Sequence, residues 1–366
     1  MKKSLLAVAV LGAFAGAASA QSSVTMFGVI DLSGNYVENG GKGVYSLQSN
    51  QLNSNRLGFR GTEDLGGGLA AGFWLEAGMN NDHGSAGGSN GIAASAAGAA
   101  NNGGTASNSV LFNRRSTVSL ISKAGEIRLG RDYSPSFWNT VFGDVYGANG
   151  LGQALNVVAS NGLANGAPFG GAYPTFARSN NSIGYFLPGG LGGLYGQVQV
   201  AAGENVANQK YMGGRIGYAA GPFDIAGAYG VTDGGNNPDF KVWNVMGTWN
   251  FGVVKVFGLY NEVEYGGAKL DTYSVSASVP LGQGEFKAGY SATDAKGKIG
   301  GVSIDADNGR LFSVQYIYNL SKRTALYTTF AKIDNEGKAN FQVLGNGYSA
   351  AGDTSQGYNF GVRHSF

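Results

Sequence analysis

The sequence predicts an all-β fold, a 16-stranded antiparallel transmembrane β-barrel, on three observations. Runs of about ten residues alternate apolar with small polar side chains, and about ten tilted residues cross a bilayer. Compact turns rich in glycine or proline alternate with long polar connections, as in barrels with short turns at one rim and long loops at the other. After residue 20, no stretch of about 18 apolar residues occurs, so the chain carries no apolar transmembrane helix.

Composition narrows the classes further. The 366 residues include 64 glycines, two histidines and no cysteine, and only 13% are charged, with a formal net charge of +2. That excludes a disulfide framework, a thiolate zinc site and a cysteine nucleophile. The balanced charge removes the electrostatic basis for binding nucleic acid. The 4 Trp, 19 Tyr and 20 Phe argue against wholesale disorder.

Residues 1–20 read as a secretory signal peptide, and residues 21–366 as the barrel. Lys2 and Lys3 open the leader, Leu5 to Ala18 form its short apolar run, and Ala18, Ser19 and Ala20 are small residues suited to cleavage. Removing the leader leaves 23 basic and 23 acidic residues. An exported barrel places the protein in the outer membrane of a Gram-negative bacterium.

The strands follow by alternation. Trp243, Val245, Trp249 and Phe251 alternate with Asn244, Thr248 and Asn250. Tyr273, Val275, Ala277 and Val279 share one face, against Thr272, Ser274, Ser276 and Ser278. Phe286, Ala288 and Tyr290 continue the pattern, as do Phe312, Val314, Tyr316, Tyr318 and Leu320. The last strand sets Tyr358, Phe360, Val362 and Phe366 against Asn359, Arg363 and Ser365. Aromatics near strand ends suit the two membrane interfaces, and the small polar faces would line water. In hydrocarbon every backbone donor and acceptor must be paired internally, so such strands must close into a barrel. Strands counted by the turns begin near residues 24, 56, 69, 114, 126, 182, 194, 210, 224, 241, 254, 272, 284, 310, 324 and 357. A barrel of sixteen leaves an aqueous channel.

Two connections stand out. Residues 80–108 are a Gly/Ala/Ser/Asn stretch read as a surface loop, with contact to a neighbouring subunit as the alternative. Residues 132–177 keep Phe137, Trp138, Phe142 and Tyr146 within a long loop. Long ordered loops are usually functional, and such aromatics need something to pack on, for which the barrel interior is the nearest surface.

In order and spacing, these segments resemble the general diffusion porins of Gram-negative bacteria, of the betaproteobacterial branch. The resemblance rests on residues 22–31 (SSVTMFGVID), 54–69 (SNRLGFRGTEDLGGGL), 127–131 (IRLGR), 178–185 (RSNNSIGY) and 361–366 (GVRHSF), and it covers the whole chain. It implies a homotrimer, a third extracellular loop folded inward, and a C-terminal aromatic, Phe366, as assembly signal for the outer-membrane insertion machinery. It also implies a pore constriction with a basic wall, carried here by Arg56, Arg60, Arg114 and Arg178. The acidic cluster common in the constriction loop is thin, and Asp144 is its clearest carboxylate.

Alternation agrees for the second strand, where Leu57 and Phe59 take the lipid side and Arg56, Gly58 and Arg60 the lumen. Arg115 is then expected to point opposite Arg114, to an interface, and Arg128 is a further lumen candidate. The expected function is passive diffusion of small hydrophilic solutes and ions with weak anion selectivity. The alternative is a substrate-selective, sugar-type channel whose loop aromatics Phe137, Trp138 and Tyr146 form a binding slide. No enzyme is expected. His83 lies in a low-complexity loop, His364 falls on the apolar side of the last strand, and neither has catalytic company. No cofactor or metal is expected, because no phosphate-cradling loop or ligand spacing occurs. Expected partners are a homotrimer mate, outer-membrane lipid, lipopolysaccharide, the assembly machinery and small solutes.

Overall fold

A strand whose outer face meets hydrocarbon must have both edges paired, and this architecture follows that rule throughout. The computed structural model describes residues 23–86, 111–158, 174–205 and 208–366. The expected leader, most of the 80–108 stretch and part of the long connection lie outside them.

Sixteen antiparallel strands close on themselves. They are β1 (Ser23–Asn39), β2 in two pieces (Lys42–Ser49 and Arg56–Gly66), β3 (Leu69–Asn80), β4 (Arg115–Ser122), β5 (Gly125–Tyr133), β6 (Arg178–Phe186), β7 (Leu194–Ala201) and β8 (Tyr211–Ala220). The circuit continues with β9 (Phe223–Thr232), β10 (Phe240–Asn250), β11 (Lys255–Tyr265), β12 (Ala268–Leu281), β13 (Gly284–Lys296), β14 (Gly309–Asn319), β15 (Thr324–Asn335) and β16 (Thr354–Ser365). Each strand pairs with the next, and β16 returns to β1 with Val29 opposite Ser365 and Asn39 opposite Ser355. Among the described residues, no edge of the barrel sheet is left open.

The strand starts counted from turns agree to within a few residues, except in the second strand. Lys42–Ser49 also pairs with β1, from Leu32 opposite Ser49 to Asn39 opposite Lys42. The strand is interrupted because residues 50–55 leave the ladder, beginning at Asn50 with φ of 68°. They turn into the barrel, where Leu52 packs with Ile317, Ala325 and Tyr327.

The outer face is apolar and exposed. Val275 is 63% and Met212 64% exposed. Aromatics run along it in rows. Trp243, Tyr260 and Tyr273 lie 4.8 and 5.2 Å apart in succession, and Tyr45, Tyr36 and Tyr358 lie 4.8 and 5.4 Å apart. Near the short turns, Phe223 stacks on Trp249 at 5.8 Å. Two aromatic zones on a greasy cylinder suit a bilayer. Substituting Val275→Arg should therefore cost about 2–4 kcal/mol of folding free energy in bilayers, read from a denaturant titration.

The inner face departs from the expected small polar lining on one side. Thr272, Ser274, Ser276 and Ser278 do turn inward. Met246, Leu259, Val263, Leu270, Leu311 and Ile333 also turn inward and are buried, because a loop packs on them. Alternation alone could not show this, since it sorts residues by face without saying what covers each face.

Candidate pore constriction

The covering loop starts where β5 ends. Ser134 caps helix α1 (Pro135–Phe142), its hydroxyl accepting from the Phe137 N–H at 3.3 Å, and Pro135 sits where a missing N–H costs nothing. Asn139 Nδ2 donates to the Ala226 carbonyl at 3.2 Å, and Asn244 Nδ2 donates to the Ser136 carbonyl at 2.9 Å, which pins α1 to β9 and β10. Farther on, the Val145 N–H donates to Ser276 Oγ at 3.2 Å on β12. At the tip, Ser54 Oγ donates to Asn149 Oδ1 at 2.6 Å, joining the loop to the inturned segment of β2. A short helix α2 (Leu155–Val158) then packs against β11 to β14. The loop thus lies along the inner wall of β8 to β14. Phe137 and Tyr146 are buried in that packing. Trp138 stacks on Phe142 at 5.3 Å. The buried pair cannot offer rings to a passing sugar.

The wall formed by β2 to β6 carries the arginines. On β2 the ladder places Arg56 and Arg60 on the same face as Trp74, Glu76 and Gly78 of β3, with Arg60 opposite Trp74. Glu76 collects three donors. Arg114 Nε reaches its Oε1 at 2.5 Å, Arg56 Nη1 reaches the same oxygen at 3.4 Å, and Trp74 Nε1 donates to Oε2 at 3.0 Å. Arg114 Nη2 and Arg178 Nη2 both donate to Tyr133 Oη at 2.8 Å. The Arg178 guanidinium lies 4.3 Å from the centre of the Tyr133 ring, and its Nε donates to the Arg114 carbonyl at 2.9 Å. Tyr133 in turn stacks on Phe137 at 5.1 Å, so the base of the loop and the arginine cluster are one packed unit.

The structure therefore brings Arg56, Arg114 and Arg178 together around Glu76 and Tyr133. Arg60 stands lower on the same wall, its guanidinium 5.4 Å from the Phe27 ring and 5.1 Å from the Trp74 ring. Asp144 does not oppose them as expected. Its carboxylate accepts the backbone N–H of Tyr146 at 3.1 Å and of Ala154 at 3.1 Å, so it ties its own loop. Burial pushes its pKa up to about 6. Because the shift is upward, protonation below pH 6 relieves a burial cost instead of breaking an ion pair. Single-channel conductance should therefore hold between pH 7 and pH 5.

Arg115 also departs from expectation. It lies on the inner face, opposite Glu76, 4.6 Å from the Trp74 ring centre, with Nε 3.9 Å from Asp132 Oδ1. Arg114 turns inward as well because it precedes the first ladder residue of β4, in a bend outside the regular alternation. Arg128 pairs with Glu126 at 2.8 Å and Asp132 at 2.5 Å. Phe366 closes the barrel, its carbonyl accepting the Gly28 N–H at 3.0 Å and its ring lying on Gly28 so closely that a Cβ there would overlap it.

Sequence reasoning missed Glu76, Tyr133 and Asp31. Glu76 was legible, since it alternates with Leu75 and Ala77 and must face inward with Trp74. Tyr133 and Asp31 gave no signal, because their roles depend on contacts with β6 and β15.

Comparison with known proteins gives a consistent picture. A family model described as Gram-negative porin matches residues 7–338. Outer membrane porin protein 32 of Delftia acidovorans is 36% identical, over the full length of both chains. An outer membrane porin protein of Bordetella pertussis is 27% identical, again over the full length of both. The solved anion-selective porin from Comamonas acidovorans superposes with a TM-score of 0.75 at 33% identity, covering 94% of this chain and all of that one.

Proposed function

The chain belongs to the Gram-negative porin family, an outer-membrane β-barrel channel for passive diffusion of small hydrophilic solutes and ions, and we propose that its basic wall makes it weakly anion-selective. One observation carries the proposal. Arg56, Arg114 and Arg178 cluster around a single carboxylate, Glu76, while the loop's own carboxylate is occupied by backbone N–H groups. Residues outside the described set contain no Asp or Glu that could compensate. The cluster keeps a net positive charge inside a low-dielectric wall, which concentrates anions in the bore.

Passive diffusion is tested by swelling of proteoliposomes. Rates for uncharged solutes should fall smoothly with solute size and not saturate with concentration. Saturation by one sugar would instead favour the substrate-selective reading.

Assembly completes the proposal. The chain is exported through cleavage after Ala20, giving a mature N-terminus at Gln21 in mass spectrometry. It forms a homotrimer, seen as a heat-labile high-mass band or by crosslinking. Lys241, Lys269 and Lys296, paired with Glu264, Glu262 and Asp271 at the long-loop rim, meet lipopolysaccharide headgroups. Phe366 serves the assembly machinery. Gly28→Leu should displace the Phe366 ring and lower the folded yield several-fold, measured by the heat-modifiable band in outer membranes.

A further inference from the structure

The outer face of the barrel is not evenly filled. Across β6 to β10 it carries a groove of about 840 Å³. The groove begins at Trp243 and Tyr229, near the long-loop ends of β10 and β9, and runs to Tyr185 and Leu187 beside the short turn after β6. Val198, Ile216 and Val245 wall it, all exposed on the outer face. Its floor is backbone, laid bare by Gly214 and Gly227. Neither glycine has a positive φ. A Cβ at Gly227 would meet nothing nearer than the Asn244 carbonyl oxygen at 4.0 Å. One at Gly214 would make ordinary contacts of 3.4 and 3.5 Å with Gln197 and Val198. Neither the backbone conformation nor a protein neighbour therefore demands glycine at these places. Glycine weakens a strand, and inside one it often marks the close approach of another body. The two ends of the groove are held firmly. Tyr185 Oη donates to the Ala124 carbonyl at 2.6 Å, and the Trp243 ring lies 4.8 Å from that of Tyr260.

We propose that this groove is a fixed seat for a saturated acyl chain of lipopolysaccharide. The sheet faces hydrocarbon here, so whatever fills the groove must be apolar along its length. A flexible saturated chain can follow the channel and close the gap over the glycine floor, recovering the contacts that a void would forfeit. The rim above identifies the source of the chain. Lys241 stands on the same outer face as Trp243, one pleat nearer the long loops, where it pairs with Glu264 at 3.2 Å. A phosphorylated headgroup resting at that lysine would hang its chains over the mouth of the groove. The inference rests on the contact of the rim lysines with lipopolysaccharide, and the two can fail separately.

The test is thermal unfolding of the purified protein, stripped of lipopolysaccharide and held in detergent micelles. Three additives are compared: intact lipopolysaccharide, the same material with its acyl chains removed, and phosphatidylethanolamine. Intact lipopolysaccharide should raise the unfolding temperature by several degrees and the other two far less, since a ligand stabilises the state it binds. Gly227→Leu fills the groove and should raise the half-saturating lipopolysaccharide concentration about tenfold, equivalent to roughly two methylenes withdrawn from contact. Gly227→Ala should shift it less. Gly258→Leu also faces lipid with an open Cβ position but lies outside the groove, and should leave it unchanged. Heat-modifiability of each variant confirms a folded barrel. Equal stabilisation by the deacylated form would overturn the acyl seat and leave the headgroup contact standing, as would equal shifts in Gly227→Leu and Gly258→Leu or no shift in either. Equal stabilisation by phosphatidylethanolamine would overturn the assignment to lipopolysaccharide. Loss of the high-mass band in Gly227→Leu without additive would make the groove a subunit contact instead. No stabilisation of the unaltered protein by intact lipopolysaccharide would overturn the rim contact on which the seat stands.

Discussion

Replacing Arg56 and Arg178 together with serine is expected to remove most of the anion preference. The pair is chosen because of how the cluster shares its one carboxylate. Arg114 lies 2.5 Å from Glu76 and already forms a neutral pair with it. Arg56 touches the same oxygen from 3.4 Å, and Arg178 rests on the Tyr133 ring and hydroxyl instead of on a carboxylate. These two residues therefore carry the surplus charge. In water a unit charge about 7 Å from a passing ion contributes about 0.6 kcal/mol, and the sign reverses between chloride and potassium. Two such charges, partly screened by salt, should lower the anion-to-cation permeability ratio roughly tenfold. Arg114→Ser alone should have a more complicated result, because it also frees Glu76. Reversal potentials of the double variant at low and high salt would measure the change. An unaltered ratio would mean that these guanidinia do not border the ion path.

The second large effect is expected at Asp31→Ala. Asp31 is buried at the break in β2 and accepts the Leu52 and Asn53 N–H groups, each at 2.6 Å, through one oxygen. Its other oxygen accepts the Tyr327 hydroxyl at 2.5 Å. Gly361 makes that reach possible, because the Tyr327 ring lies where a Cβ would stand. The Asn55 side chain completes the node, donating to the Asp31 carbonyl at 3.0 Å. This node holds residues 50–55 inside the barrel, and those residues meet the loop tip through Ser54 and Asn149. Hydrogen bonds to a charged acceptor contribute about 1.5–3 kcal/mol each, and here three donors would lose their partner. A loss of about 3–5 kcal/mol in unfolding free energy is expected. The released segment should also stop supporting the loop tip, so single-channel conductance should rise and become noisier. Asp31→Asn, which retains an acceptor, should show a smaller loss. Unchanged stability with unchanged conductance would show that the break in β2 is held by something else.

The barrel was legible because its defining constraint is local. A strand between lipid and water must alternate, and its turns must carry residues that allow tight reversal. Val275 against Ser274 and Ser276 is enough to orient β12. The interrupted second strand was not legible. Residues 42–49 continue the ladder, but the turn inward at Asn50 depends on Asp31 and Tyr327, far apart in sequence. The arginines of the wall were partly legible for the same reason. Arg56 and Arg60 follow from alternation with Leu57 and Phe59. Arg114 and Arg115 both face the interior because the ladder starts only at Arg115. Asp144 had the right residue type in the right loop, yet nearby backbone N–H groups claim its carboxylate. Composition could show a carboxylate within a loop but not which donors lie nearest to it.

The central claim is that a net positive wall lines a water-filled path. Its most direct measurement is the zero-current potential of the purified protein in a potassium chloride gradient across a planar bilayer. The account predicts a potential whose sign corresponds to chloride passing more readily than potassium, shrinking as salt is raised on both sides. A potential of the opposite sign, or closed bilayers with no conductance at all, would contradict it.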